Sequence, residues 1–83
     1  MDTTTTITLV TGSHCHLCEQ AKAVLYPLIE ARQIQLTERS VDEDQSLKDR
    51  YALRIPVLLL PDGREKGWPF TAAQIDRMLN QLS

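Results

Sequence analysis

Apolar residues along the chain change their spacing several times, and each spacing predicts an element. Residues 7–10, Ile-Thr-Leu-Val, form a short apolar run that predicts a buried first strand. The next apolar positions follow the spacing i, i+4, i+7 and i+8, which marks one face of an α-helix over residues 15–32. That face consists of Leu17, Ala21, Val24, Leu25, Leu28 and Ile29. Because the face continues past Pro27, we expect the proline to bend this helix without ending it.

The middle of the chain predicts a second strand and a second helix. Residues 34–40 begin with apolar and polar positions in alternation, which is typical of a strand. A strand, a helix and a strand in this order form a βαβ unit, whose strands pair in parallel. The acidic residues at 42–44 precede a short helix that ends near residue 52 and buries Leu47 and Tyr51. We expect these acids to be solvated residues at the helix start, since a calcium loop would need a glycine and a later bidentate glutamate.

The last third of the chain predicts a hairpin followed by a helix. Residues 57–60 belong to the most apolar run and predict a central strand, which Pro56 opens because proline lacks a backbone donor. A Pro-Asp-Gly turn at residues 61–63 joins it to an antiparallel, charged edge strand at residues 64–68. The last helix starts with a capping box and carries one apolar face. The box is Thr71 with Gln74, and the face consists of Ile75, Met78, Leu79 and Leu82.

Together these elements predict one α/β domain that spans residues 1–83. Their order is β-α-β-α-β-β-α. A four-stranded mixed sheet flanked by helices satisfies the layer rules for this order.

Charge and hydropathy exclude several classes of function. The formal net charge is −2 and no basic cluster exists to neutralise phosphates, which argues against nucleic acid as a partner. No apolar run approaches the ~20 residues that cross a bilayer, so we expect no membrane partner. Residues 1–6 lack the basic and apolar regions of a signal peptide. We therefore expect a cytoplasmic protein, and we expect it to be a monomer.

Both cysteines of the chain, Cys15 and Cys18, stand at C-x-x-C spacing between the predicted first strand and first helix. This setting predicts a thiol–disulfide site. The first turn of a helix offers unpaired N–H groups and the positive end of its dipole, and both favour a thiolate. Cys15 stands at that start, so we expect it to be the nucleophile. Cys18 lies one turn further in and is the expected resolving thiol.

Two other interpretations of this stretch stay open. The first is a metal-binding module that uses Cys15, Cys18 and a nearby histidine, His14 or His16. Structural zinc is usually bound by two separated ligand pairs, so we expect no metal site. The second is an interaction protein whose cysteines are incidental. The histidines are either exposed loop residues or donors that stabilise the Cys15 thiolate.

The arrangement of these motifs resembles the glutaredoxin-like branch of the thioredoxin superfold. The resemblance rests on the C-x-x-C after strand one, the Asp-Glu-Asp before helix two and the Ile-Pro-Val at strand three. The resemblance covers residues 7–82, and within it the chain is similar to small bacterial glutaredoxin-like proteins. It implies a thioredoxin-like, glutaredoxin-like fold with the strand and helix order given above.

The same resemblance implies roles for further residues. Cys15 and Cys18 take the places of the family's nucleophile and resolving cysteine. Pro56 takes the place of its cis-proline, which packs against the disulfide. The backbone of Ile55 would then be the strand edge that pairs with an extended peptide or with glutathione.

Three differences from the family pattern fall near the same site. His16, with Leu17, replaces the Pro-Tyr that glutaredoxins usually carry between the cysteines. Gly67 and Trp68 begin the segment that replaces the family's glutathione loop. Leu9 stands where thioredoxins carry a buried acid six residues before the first cysteine. We expect the substrate-binding residues to be Ile55, Pro56, His16, Gly67 and Trp68.

The function implied by the resemblance is that of a thiol–disulfide oxidoreductase that reduces disulfides through its C-x-x-C dithiol. No bound cofactor is expected. The partners would be a disulfide-containing protein or glutathione, with glutathione or a thioredoxin-reductase-type flavoprotein as the reductant.

Overall fold

A computed structural model describes residues 5–82 and contains the element order that the sequence predicts. The strands are β1 (Thr6–Thr11), β2 (Gln35–Ser40), β3 (Val57–Leu59) and β4 (Glu65–Gly67), and the helices are α1 (His16–Arg32), α2 (Gln45–Tyr51) and α3 (Ala72–Asn80). No helix within these residues is long and apolar enough to cross a membrane.

The four strands form one mixed sheet, as predicted, and their order in the sheet is β2-β1-β3-β4. Strands β1 and β2 are parallel, and their register runs from Thr6 opposite Gln35 to Thr11 opposite Ser40. Strand β3 is antiparallel to both β1 and β4. Because parallel strands end at the same edge of a sheet, the loops that follow β1 and β2 lie next to each other there.

The helices cover both faces of the sheet. Neighbouring residues of a strand point to opposite faces, so each strand contributes apolar side chains to a cluster on either side. Leu9 and Leu58 pack in a cluster with Leu25 of α1 and Ile75 of α3. Val10 and Val57 pack in a second cluster, which includes Tyr51 of α2 and Val41. The fold is therefore the predicted arrangement of a mixed sheet between helices.

The ends of several elements are capped as the sequence indicates. Helix α3 begins with the predicted capping box, in which the Thr71 hydroxyl accepts from the Gln74 amide and the Gln74 side chain accepts from the Thr71 amide. Helix α2 has Asp44 as its N-cap, with the carboxylate accepting from the amides of Ser46 and Leu47. Pro27 lies inside α1, which continues to Arg32.

Burial differs from the predictions at two leucines. Leu17 was expected on the buried face of α1, yet it is 45% exposed. The buried residues of α1 are Cys18, Ala21 and Leu25, so the inward position of the first turn is taken by Cys18 and Leu17 is turned to the side. Leu47 of α2 is half-buried at the edge of the second cluster, whereas Tyr51 is buried as predicted.

Candidate active site

Cys15 and Cys18 are joined by a disulfide at the start of α1, with 5.2 Å between their Cα atoms. Cys15 is the N-cap residue, with an extended backbone, and its Sγ accepts a hydrogen bond from the Cys18 amide at 3.0 Å. The sulfur therefore occupies the place that a serine or aspartate oxygen usually takes at a helix start. Cys15 is half-buried while Cys18 is only 3% exposed. Of the two sulfur-bearing residues, Cys15 is the one open to a reaction partner.

The loop before Cys15 is shaped by two residues. His14 is exposed and has a φ of 55°, in the left-handed region that non-glycine residues seldom adopt. At Gly12, a Cβ atom would lie 2.6 Å from Cδ1 of Ile55 and 3.4 Å from Cγ2 of Val41. A side chain at residue 12 would therefore collide with Ile55. This close approach also places Ile55 against the loop that carries the cysteines.

A carboxylate from the segment that follows β2, Asp42, holds the same loop. The Ser13 amide and hydroxyl donate to Oδ2 of Asp42 at 3.0 and 2.6 Å, and the Asp42 amide donates to the Ser40 hydroxyl at 3.1 Å. The two hydrogen bonds from Ser13, led by that from its hydroxyl, hold the pKa of Asp42 below its usual value. Asp42 is exposed, as expected for a solvated acid, but the expectation that it serves the start of α2 is wrong, because Ser13 binds its carboxylate. It anchors the cysteine loop, whereas Asp44 caps α2.

Pro56, just before β3, and Trp68, just after β4, are brought together at the open end of the β3–β4 hairpin. The Ile55–Pro56 peptide bond is cis and Pro56 is fully buried. The carbonyl of Pro56 accepts a hydrogen bond from the Trp68 amide at 3.1 Å. Trp68 is half-buried and meets the edge of Phe70, with 5.0 Å between ring centroids. The Trp68–Pro69 bond is also cis, which the sequence did not lead us to expect.

An open groove of about 630 Å³ lies beside the disulfide. It is lined by Thr11, Gly12, His14, Cys15, His16, Cys18, Glu19, Lys22 and Glu38. Of the predicted substrate-binding residues, His16 lines this groove, whereas Ile55, Pro56, Gly67 and Trp68 lie outside its lining. The structure therefore groups those four residues apart from the groove, and Ile55 connects them to the cysteine loop through its contact with Gly12.

Three charged residues of the groove were not among the predicted site residues. The Lys22 ammonium lies 2.9 Å from Oε2 of Glu19 and 3.0 Å from Oε1 of Glu38. These carboxylates, Glu19 first, raise the pKa of Lys22 above its usual value. Residues 18 and 22 are one helical turn apart, so helix periodicity could have placed Lys22 beside Cys18. Glu38 lies in β2, and nothing in its local pattern indicates that contact.

The residues that could bind a metal are not gathered into a ligand set. Within residues 5–82, no group of three or more histidine, cysteine, aspartate or glutamate side chains is positioned to hold a metal ion. The sulfur atoms of Cys15 and Cys18 are bonded to each other, and His14 and His16 are exposed.

A family model shows the family of this chain, and solved structures show its fold. Residues 6–80 match the family model of the glutaredoxin-like domain (DUF836). The X-ray structure of XcR50 from X. campestris is 38% identical, with a TM-score of 0.78 over 93% of this chain and 99% of that chain. Protein Ne2328 from Nitrosomonas europaea is 22% identical, with a TM-score of 0.77 over 94% of each chain.

A more distant structure extends the comparison to thioredoxins. A thioredoxin from Thermus thermophilus is 27% identical, with a TM-score of 0.56 over 95% of this chain and 73% of that chain. A search of curated proteins found no match. The shared fold and the C-x-x-C pair at the start of α1 support a redox role.

Proposed function

The chain belongs to the glutaredoxin-like domain family (DUF836), and from this premise we propose that it is a thiol–disulfide oxidoreductase that reduces disulfides in the cytoplasm. The observation that carries the proposal is the position of the Cys15 sulfur. It caps α1, accepts the Cys18 amide at 3.0 Å, and belongs to the more exposed of the two cysteines. A thiolate formed there would keep that hydrogen bond and face the positive end of the helix dipole.

The proposed reaction is a two-step exchange. The Cys15 thiolate of the reduced protein attacks one sulfur of a substrate disulfide, and the other substrate sulfur leaves as a thiolate that takes up a proton. The Cys18 thiolate then attacks the Cys15 sulfur of this mixed disulfide. The second substrate thiol leaves, and the Cys15–Cys18 disulfide is formed. Two electrons have passed from the protein to the substrate.

Two surfaces next to the disulfide support the binding of an extended substrate. The backbone of Ile55, followed by Pro56, offers a strand edge beside the cysteine loop, because Ile55 is in contact with Gly12. We assign peptide pairing to this edge, with Gly67 and Trp68 supporting it through the hydrogen bond from Trp68 to Pro56. His16 would meet the substrate at the groove, which it lines together with Cys15.

The proposed cycle needs a reductant to restore the dithiol. Two molecules of glutathione, or one thioredoxin-reductase-type flavoprotein, could supply the two electrons, and no bound cofactor is needed for either route. We propose that the protein acts as a monomer on disulfide-containing proteins or on glutathione. Nucleic acid and membranes are not among the proposed partners.

A disulfide-reduction assay tests this function. Purified protein is supplied with a model disulfide and with each of two reductant systems in turn. The first is glutathione with glutathione reductase, and the second is a thioredoxin-reductase-type flavoprotein. Turnover by the wild type that is lost in Cys15→Ser is the expected result. Absence of turnover with both donors, together with zinc or copper in the fresh protein that is lost in Cys15→Ser, would replace the redox proposal with the metal-binding alternative.

A further inference from the structure

The charged side chains in the groove are layered, with carboxylates outside and an ammonium below them. Lys22 is bracketed by Glu19 at 2.9 Å and Glu38 at 3.0 Å. The Lys22 side chain is 20% exposed, whereas the side chains of Glu19 and Glu38 are 69% and 43% exposed. A molecule that enters the groove therefore meets the carboxylates before it meets the ammonium.

These three side chains leave the groove with a net negative charge. Two carboxylates and one ammonium give one excess negative charge, and Lys22 is the sole lysine or arginine among the described residues that line the groove. Asp42 adds a further carboxylate beside the cysteine loop, where Ser13 holds it. His14 and His16 are formally neutral at pH 7. The charged side chains that line the groove beside the Cys15–Cys18 disulfide therefore sum to a net negative charge.

We propose that Glu19 and Glu38 make this groove select disulfides that carry a lysine or arginine beside the reactive sulfur, and that they disfavour glutathione disulfide. The inference rests on the proposed disulfide exchange and specifies its substrate class. A lysine or arginine side chain would approach two exposed carboxylates. Each glutathione unit carries two carboxylates and one ammonium, so its disulfide has a net charge of about −2 and would be repelled. A basic peptide segment is thus the chemistry that fits the groove.

The size of the effect follows from the exposure of the charges. Exposed charges several ångströms apart interact weakly in water, which corresponds to about a threefold change in rate for each unit of charge. Salt screens such interactions, since the Debye length falls from roughly 10 Å at 0.1 M to 3 Å at 1 M ionic strength. The selectivity should accordingly be clear at low salt and small at high salt.

The test measures exchange rates between the reduced protein and three probes at pH 8. Two probes are synthetic peptides of equal length with the same intramolecular disulfide, flanked in one by lysines and in the other by glutamates. The third is glutathione disulfide. The ratio of the lysine-peptide rate to the glutamate-peptide rate is compared among variants. Since the intrinsic reactivity of each peptide is the same for every variant, changes in the ratio report on the groove.

Variants that shift the groove charge in opposite directions make the test decisive. The double variant Glu19→Gln/Glu38→Gln leaves Lys22 unbalanced. With one flanking charge at the groove, the lysine-peptide rate should fall and the glutamate-peptide rate should rise, each by about tenfold, so the ratio falls by about a hundredfold and exchange with glutathione disulfide rises. Lys22→Gln removes the ammonium and should change the two rates by about threefold in opposite directions, so the ratio rises by about tenfold. The matched control is Glu30→Gln, which removes an exposed carboxylate elsewhere on α1 and should leave the ratio unchanged. In 1 M salt the differences should nearly disappear.

Two results separate failure of this inference from failure of the proposed function. If the wild type exchanges with all three probes and the ratio is the same in the groove variants as in Glu30→Gln, the selectivity is refuted and the oxidoreductase function stands. If the reduced wild type exchanges with none of the probes, the proposed function is refuted, and the selectivity with it.

Discussion

At the scale of single residues, the site depends on a sulfur atom that acts as a helix cap. The Cys15 sulfur accepts the Cys18 amide, so the same hydrogen bond that starts α1 also positions the proposed nucleophile. A helix start leaves several N–H groups without intrahelical partners, and an anionic sulfur satisfies one of them better than a neutral thiol does. Helix formation and the stabilisation of a reactive thiolate are therefore linked at Cys15.

His16 offers a test of how nearby residues adjust the dithiol. It is the first residue of α1, is exposed, and lines the groove with Cys15. A donor at this position stabilises the thiolate, which favours the reduced dithiol and makes the pair more oxidising. We predict that His16→Ala lowers the reduction potential by up to about 30 mV, which is the equivalent of one pKa unit in a two-electron couple.

The measurement is a redox titration in glutathione buffers at neutral pH, with His14→Ala as the control. His14 precedes the helix and should matter less than His16. A potential for His16→Ala that equals that of the wild type, or exceeds it, would contradict the tuning role. His16 would then be an exposed residue without influence on the cysteines.

At the scale of elements, the cysteine loop is held by segments that border two other strands. Asp42 comes after β2 and binds Ser13, while Ile55 precedes β3 and packs against Gly12. The parallel register of β1 and β2 brings Asp42 to Ser13, since the pairing continues past both strands: the Val41 amide donates to the Thr11 carbonyl at 2.9 Å. The geometry at Cys15 thus depends on correct pairing of β1 with β2.

Asp42→Asn tests this anchoring through its pH dependence. The folded-state pKa of Asp42 is lowered, mainly by the hydrogen bond from the Ser13 hydroxyl, below an ordinary value of 3.8. Its contribution to stability is therefore complete above the unfolded-state pKa and is lost as the pH falls through the lowered folded-state pKa. We predict that the variant melts at a lower temperature than the wild type at pH 7, and that the two melting temperatures converge as the pH falls below about 4.

Thermal unfolding followed by circular dichroism across this pH range gives the measurement, and Glu43→Gln provides the control. Glu43 is an exposed carboxylate next to Asp42, and its replacement should leave the melting temperature near that of the wild type. Equal melting temperatures for the two variants at pH 7 would show that Asp42 does not anchor the loop. So would a deficit in Asp42→Asn that persists unchanged to pH 2.

Local sequence patterns predicted the strands and helices of this fold but not the contacts between residues distant in the chain. The strands, the helices and the capping box at Thr71 follow from spacings of a few residues, and all were predicted. The Ser13–Asp42 contact joins residues 29 positions apart, so no local pattern could indicate it. The ion pair of Lys22 with Glu38 likewise depends on how α1 lies against β2. Long-range side-chain contacts require the packed structure.

At the scale of the whole molecule, residues 5–82 of this 83-residue chain form a core of two clusters, one on each face of the sheet. A domain of this size is stabilised by only about 4–12 kcal/mol, so each fully buried side chain accounts for a large share. The overall order of strands and helices was predictable because it depends on which residues are apolar. The extent of burial of each leucine depends on tertiary packing, as Leu17 illustrates.

A pair of leucine substitutions tests this account of the core. Leu25 of α1 is fully buried in the first cluster, whereas Leu53 is 100% exposed. We predict that Leu25→Ala lowers the free energy of unfolding by about 2–5 kcal/mol, because it removes buried methyl groups and leaves a cavity. Leu53→Ala makes the same chemical change at an exposed position and should alter the free energy by less than about 0.5 kcal/mol. Urea unfolding measures both values, and similar losses in the two variants would refute the assigned core.

Trapping of the mixed disulfide is the most direct test of the central claim, that Cys15 attacks and Cys18 resolves. Reduced Cys18→Ser and Cys15→Ser proteins are mixed with a peptide disulfide, and the products are followed by intact mass and peptide mapping. We predict a lasting adduct on Cys15 in Cys18→Ser, no comparable adduct in Cys15→Ser, and the internal Cys15–Cys18 disulfide in the wild type. An adduct that forms faster on Cys18 in Cys15→Ser than on Cys15 in Cys18→Ser would contradict the account.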